Sequence, residues 1–149
     1  MGTVRASAST SVGAPPGRVL EVLRDYAARP DLLTDNYSQY RVEAGGSGAG
    51  TVVAFHFAAG GRERDYRLRI EEEDGVLRER DELSSFVSTW TVAADGAGSK
   101  VTLEATWDGA GGIGGVFEGL FAPIGLRRIY LQVLARLSQA VGRETRPSP

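Results

Sequence analysis

The 149-residue chain contains no cysteine, one histidine (His56), one lysine (Lys100) and one methionine. The missing thiols exclude disulfides, thiolate zinc sites, iron–sulfur clusters and a cysteine nucleophile, and a single imidazole excludes any site that needs two. No stretch approaches the 18 apolar residues of a membrane span, and the N-terminal MGTVRASAST has no apolar signal core. A cytoplasmic protein with no stable membrane insertion is therefore expected. With 17 basic residues against 19 acidic ones the net charge is −2, which gives no electrostatic reason to bind nucleic acid. What remains, 42% hydrophobic and 24% charged residues, is the balance of one globular domain able to bury a proper core.

Pattern along the chain assigns the elements. Residues Val4 to Val12, VRASASTSV, alternate small apolar and polar side chains and read as a half-buried strand. Pro15-Pro16-Gly17 stops it, and Val19, Leu20, Val22, Leu23 and Tyr26 follow at helical spacing. Pro30-Asp31 begins a second short helical piece that ends near Asp35. A run of hairpins comes next, with strands at Tyr37–Ala44, Thr51–Ala58, Arg62–Glu73, Val76–Leu83, Ser85–Ala93 and Lys100–Trp107, divided mostly by glycine-containing turns. Finally Phe117, Leu120, Phe121, Ile124, Leu131, Leu134 and Val141 recur at spacings of three, four or seven, which predicts a long amphipathic helix from Gly115 to Gly142. Residues 143–149 then read as a frayed tail, leaving 1–142 as one domain.

Consecutive hairpins exclude a doubly wound parallel sheet. The predicted class is α+β: a seven-stranded curved antiparallel sheet, two short helices after the first strand, and a long C-terminal helix on the concave face. Gly109-Ala110-Gly111-Gly112-Ile113-Gly114 matches the dinucleotide fingerprint, but no parallel strand follows to complete a βαβ unit, so the segment reads as a hinge. No cofactor is expected.

Val12-Gly13-Ala14-Pro15 with Val19, Gly48-Ala49-Gly50-Thr51, Trp90, and Phe121-Ala122-Pro123 with Leu126-Arg127-Arg128 give the chain a family likeness. It resembles the START-like helix-grip superfamily (SRPBCC), and within it the bacterial polyketide cyclase/dehydrase-like group. One departure is Leu32, where many members carry tryptophan. The resemblance implies a cavity between helix and sheet for a lipid, polyketide or similar molecule, and in some members cyclase or dehydratase activity. A monomer or homodimer is expected.

Strand parity names the cavity wall. Phe55 and Phe57, Tyr66 and Leu68, Trp90, and Leu103 and Trp107 point inward on their strands, and Phe117, Phe121, Ile124, Arg127 and Leu131 complete the wall from the helix. The same parity turns His56 outward, which removes it as a general base.

The segment Arg62 to Glu82 is charged at 15 of 21 positions, so some charge must face inward. A two-residue turn at Asp74-Gly75 pairs Glu73 with Val76, Ile70 with Glu79 and Leu68 with Asp81, and turns Leu77 and Leu83 inward. A three-residue turn turns Arg78, Arg80 and Glu82 inward instead. Burying two leucines at about 1.5–3 kcal/mol each outweighs exposed ion pairs at about 0–1 kcal/mol and favours the first register. Glu79 and Asp81 then become candidate acid–base residues, with Arg127 as partner of a buried carboxylate or of a ligand oxyanion. The leading reading is binding of a small, largely hydrophobic molecule. A polyketide aromatase/cyclase or dehydratase using Glu79, Asp81 or a tyrosine is the alternative, and a protein-interaction domain is a weaker third.

Overall fold

The computed structural model describes residues 3–108 and 122–145, with side chains to residue 142. Strand β1 (Thr3–Val12) leads into helix α1 (Pro16–Arg24) and a 3-10 turn (Arg29–Leu32). Strands β2 (Tyr37–Ala44), β3 (Val52–Ala59), β4 (Arg62–Glu73), β5 (Val76–Asp81), β6 (Val87–Asp95) and β7 (Gly98–Asp108) follow, and helix α2 (Pro123–Thr145) is the last of the described elements. The seven strands form one antiparallel sheet in the order β1-β7-β6-β5-β4-β3-β2. The predicted fold class is the observed one, a single helix and a 3-10 turn standing where two short helices were expected.

Local chemistry explains the pieces. Proline at the first position of α1 costs no hydrogen bond there, and Val19, Leu20 and Leu23 form its buried stripe. Asp74 (φ 48°) and Gly75 (φ 78°) occupy the left-handed region as a two-residue I′-type turn requires, and they set the β4–β5 register with Glu73 opposite Val76, Ile70 opposite Glu79 and Leu68 opposite Asp81. The favoured register is the observed one. Leu83 departs from it, being 61% exposed, because β5 ends at Asp81 and alternation no longer governs its direction.

The inner face of β1 is built from Ala6 and Ala8, small enough for α2 to lie close, and the helix packs chiefly on that strand. At the other end, Phe55, Phe57, Tyr66 and Leu68 rise from β3 and β4. The helix therefore seats at one side of the concave face, with bulky rings filling the other.

The stripe that α2 turns to the sheet is Leu126, Ile129, Tyr130, Val133, Leu134, Leu137 and Val141. Ile124 is 74% exposed, Leu131 37% exposed, and Arg127 faces solvent, so these three expected wall residues lie on the outer side. The predicted stripe carried one helical phase across Pro123, whereas α2 starts at that proline and sets its own phase. Helical structure also runs to Thr145, past the predicted end at Gly142. Phe117, Phe121, the glycine segment 109–114 and the expected helix start at Gly115 lie outside the described residues.

Candidate functional site

Between α2, the 3-10 turn and the concave sheet lies a cavity of about 50 Å³. Its apolar wall comes from Val53, Phe55 and Phe57 on β3, Tyr66 and Leu68 on β4, Phe86, Trp90 and Leu103 on the β5–β7 side, and Leu126, Tyr130 and Val133 on α2. The rings interlock: Phe55 stacks on Tyr66 at 5.3 Å, Tyr37 meets Phe57 edge-on at 4.8 Å, and Phe86 meets Tyr66 at 5.0 Å. A volume of that size holds a few waters or a slim apolar group, since one water needs about 10–15 Å³. A fused-ring molecule is accommodated only if tyrosine or phenylalanine side chains swing aside.

One stretch of wall is polar. Glu79, on β5, is 4% exposed and lies across from Arg29 of the 3-10 turn, also 4% exposed. Its Oε2 accepts from Arg29 Nη1 at 2.9 Å and from the Tyr26 hydroxyl at 2.8 Å, and its Oε1 accepts from the Ser88 hydroxyl at 2.8 Å. Arg29 Nη2 donates to the Leu23 carbonyl at 2.6 Å, and its guanidinium lies over the rings of Tyr26 (4.3 Å) and Trp90 (5.2 Å). A buried carboxylate is tolerated only when paired and hydrogen-bonded, and three donors meet that condition here. Two N–H groups on this wall, Arg29 Nε and Trp90 Nε1, are buried with no partner among the described residues.

The electrostatics follow from that burial. Desolvation works to lower the Arg29 pKa, but the charge of Glu79, with Tyr26 and Tyr40, outweighs it and leaves the guanidinium more basic than usual. Burial raises every phenol on the wall: Tyr66 is pushed up to about 12, with Arg64 opposing and Asp81 adding to the rise. Tyr26, Tyr37, Tyr40 and Tyr130 rise further, again mainly by burial, with the negative charge of Glu79 adding to each. The wall is thus neutral overall, with a matched ion pair and protonated phenols. Among the described residues there is no group of three or more potential metal ligands, and no helix long and apolar enough to cross a membrane.

The sequence from residue 3 to 142 matches the family described as polyketide cyclase / dehydrase and lipid transport. The chain belongs to that family. The solution structure of the KanY protein is 44% identical, with a TM-score of 0.84 over 95% of this chain and 99% of that one. TTHA0849 from Thermus thermophilus is 21% identical (TM-score 0.78, 96% of this chain, 100% of that one). The Zhui aromatase/cyclase from Streptomyces sp. R1128 is 18% identical (TM-score 0.75, 97% of each chain) and, like TTHA0849, shares the fold. No curated protein matches the sequence.

Within this polyketide cyclase/dehydrase fold the strand-borne candidates Phe55, Phe57, Tyr66, Leu68, Trp90, Leu103 and Glu79 meet on one wall. Trp107 is buried beside Phe86 but is not part of the wall. Asp81 is buried as expected, yet it closes the β5–β6 connection: Oδ2 accepts from Arg64 Nη2 (2.6 Å) and the Ser84 hydroxyl (2.7 Å), and Oδ1 from the Arg67 and Leu83 amides. Its partner is Arg64, not Arg127, because Arg127 projects from the outer side of α2. His56 faces outward as parity required, between Asp65 (2.8 Å) and Glu63 (2.9 Å), whose hydrogen bonds and charge raise its pKa. Sequence reasoning missed Arg29. Its signal was indirect, since an inward Glu79 demands a cation.

Proposed function

We propose that the protein binds a small, largely hydrophobic molecule in the cavity between α2 and the sheet, its apolar body against the rings of β3 and β4 and one neutral polar group beside Arg29 and Trp90. The observation that carries this reading is the pairing of an aromatic cavity with two buried, unpartnered N–H groups on a single polar stretch of wall. A carbonyl or hydroxyl oxygen satisfies such donors, whereas a second charge has no counter-ion there. The geometry of Glu79 supports binding over acid–base turnover: both its oxygens are already held by donors, from Arg29, Tyr26 and Ser88.

The test uses 4-hexylphenol, a single ring with one hydroxyl and an apolar tail, titrated into the protein and followed by tryptophan fluorescence and amide chemical shifts. Saturable one-to-one binding is expected, with the largest shifts on β3, β5 and the 3-10 turn. Val133→Phe fills the cavity from α2 and should weaken binding by about tenfold or more while the circular dichroism spectrum is kept. Unchanged affinity in a folded Val133→Phe protein moves the ligand out of the cavity.

A further inference from the structure

The five tyrosines of the cavity wall divide into two sets. Three are engaged by the fold: the Tyr26 hydroxyl donates to Glu79, the Tyr40 hydroxyl donates to the Tyr26 carbonyl at 2.8 Å, and the Arg64 guanidinium lies over the Tyr66 ring at 4.1 Å. The hydroxyls of Tyr37 and Tyr130 have no hydrogen bond among the described residues, where burial and the charge of nearby groups are all that acts on them. Tyr130 is only 3% exposed, so bulk water does not serve its hydroxyl either. Proteins keep few buried polar groups in that condition, because an unmade hydrogen bond is costly.

Both phenols are placed by the fold. Tyr130 belongs to the stripe that α2 turns to the sheet. On β2, alternation alone would put Tyr37 and Tyr40, three residues apart, on opposite faces. Gln39 instead adopts φ 55°, and a register shift between Ser38 and Arg41 sets two residues of β2 against the single Phe55 of β3, so both tyrosines line the cavity. A non-glycine residue in the left-handed region is uncommon, and a bulge on an edge strand is a known device for aiming side chains. The Tyr37 ring is then fixed against Phe55 (5.3 Å) and Phe57 (4.8 Å). Burial, followed by the proximity of Tyr37 and Tyr66, raises the Tyr130 pKa, so these phenols share one neighbourhood. In the sheet order β6-β5-β4-β3-β2, the rings of β3 and β4 stand between Tyr37 and the polar stretch at Glu79 and Trp90.

We infer that Tyr37 and Tyr130 form a second polar subsite of the cavity, which takes a hydroxyl or carbonyl oxygen at the end of the ligand remote from Arg29 and Trp90. This rests on the proposal that the cavity takes an apolar molecule with one polar group beside those two residues, and it adds the ligand's chemical class: a ring compound oxygenated at both ends. The ends differ in kind. The N–H groups of Arg29 and Trp90 only donate and call for an acceptor, whereas a phenol donates and accepts, so the second end suits a hydroxyl as well as a carbonyl.

Two probes separate the possibilities: 4-hydroxyacetophenone and 4-methylacetophenone share one carbonyl and nearly one shape, and differ by a hydroxyl in place of a methyl group. Each is titrated into the protein and followed by amide chemical shifts. The hydroxyl compound should bind about tenfold tighter. Tyr37→Phe and Tyr130→Phe should each weaken it about three- to tenfold and leave the methyl compound within twofold, whereas a merely structural role for these tyrosines would move both compounds alike. Equal affinity of the two compounds for the unaltered protein, or equal losses for both in the phenylalanine variants, would overturn the second subsite. If that happens while Val133→Phe still weakens the methyl compound, the cavity reading survives alone. If neither compound binds, or if Val133→Phe leaves both unaffected, the cavity reading fails and the second subsite with it.

Discussion

At the scale of single residues, Arg29 and Glu79 define what the interior tolerates. Each is nearly inaccessible to water, so each is held in place by the other and by the hydrogen bonds from Tyr26 and Ser88 and to the Leu23 carbonyl. Removing one member leaves a charge stranded in a low-dielectric wall, a change that costs about 3–5 kcal/mol for a buried pair. Arg29→Met should therefore lower the free energy of unfolding by about that much, read from urea denaturation followed by tryptophan fluorescence. Arg29→Met with Glu79→Gln should cost less than the sum of the two single changes, because the stranded charge is gone. Strict additivity, with each single loss under about 1 kcal/mol, is what solvent-screened partners would give and would contradict the buried geometry. An arginine that opens a short turn after a helix reads in sequence as solvent-facing. Only the requirement that buried Glu79 be neutralised points to it, and the arginines of the last helix compete for that role on paper.

Elements show why register was legible and helix phase was not. A β-turn of Asp-Gly type imposes a two-residue loop, and the energetic gap between burying Leu77 and gaining a few exposed ion pairs then decides the facing of a strand charged at both parities. The same pattern says nothing of where β5 stops, and Leu83 lies two residues beyond its end. On α2 the apolar residues are numerous enough to draw two stripes, one through Ile124, Leu131, Leu134 and Val141 and one through Leu126, Tyr130, Val133, Leu134, Leu137 and Val141, so that they differ in the first turns of the helix. Only knowledge that the helix begins at Pro123 selects the second. The two stripes agree on Leu134 and part at Leu131, which only the first turns toward the sheet. Leu134 is fully buried, so Leu134→Ala should cost about 2–5 kcal/mol by lost burial and the cavity left behind. Leu131 is 37% exposed, and Leu131→Ala should stay within about 1 kcal/mol, near the range of surface changes. Thermal or urea unfolding of the two variants distinguishes the faces, and a larger loss for Leu131→Ala would return the helix to the phase drawn from sequence alone.

For the whole molecule, the distribution of phenols ties the stability of the fold to the closure of its cavity. All five tyrosines of the chain, Tyr26, Tyr37, Tyr40, Tyr66 and Tyr130, line the one cavity, contributed by the α1–3-10 connection, β2, β4 and α2. Every one of them is pushed above the ordinary phenol value of about 10, principally by burial and further by nearby negative charge, Tyr66 to about 12 and the rest beyond. A phenol whose folded value is raised favours the folded state fully below the unfolded value. That contribution is lost as pH climbs from about 10 through the folded value, because the unfolded chain releases its protons first. Each phenol that stays neutral in the fold adds a slope of about 1.4 kcal/mol per pH unit, so several acting together exhaust the stability of an ordinary domain within one or two units. Absorbance at 295 nm, which reports phenolate, should accordingly stay flat through pH 10 and then rise in one cooperative step together with loss of the near-ultraviolet circular dichroism. Were one or more tyrosines to titrate reversibly near pH 10 with the fold intact, those phenols would be open to water, and the cavity between α2 and the sheet would be a solvent-filled cleft.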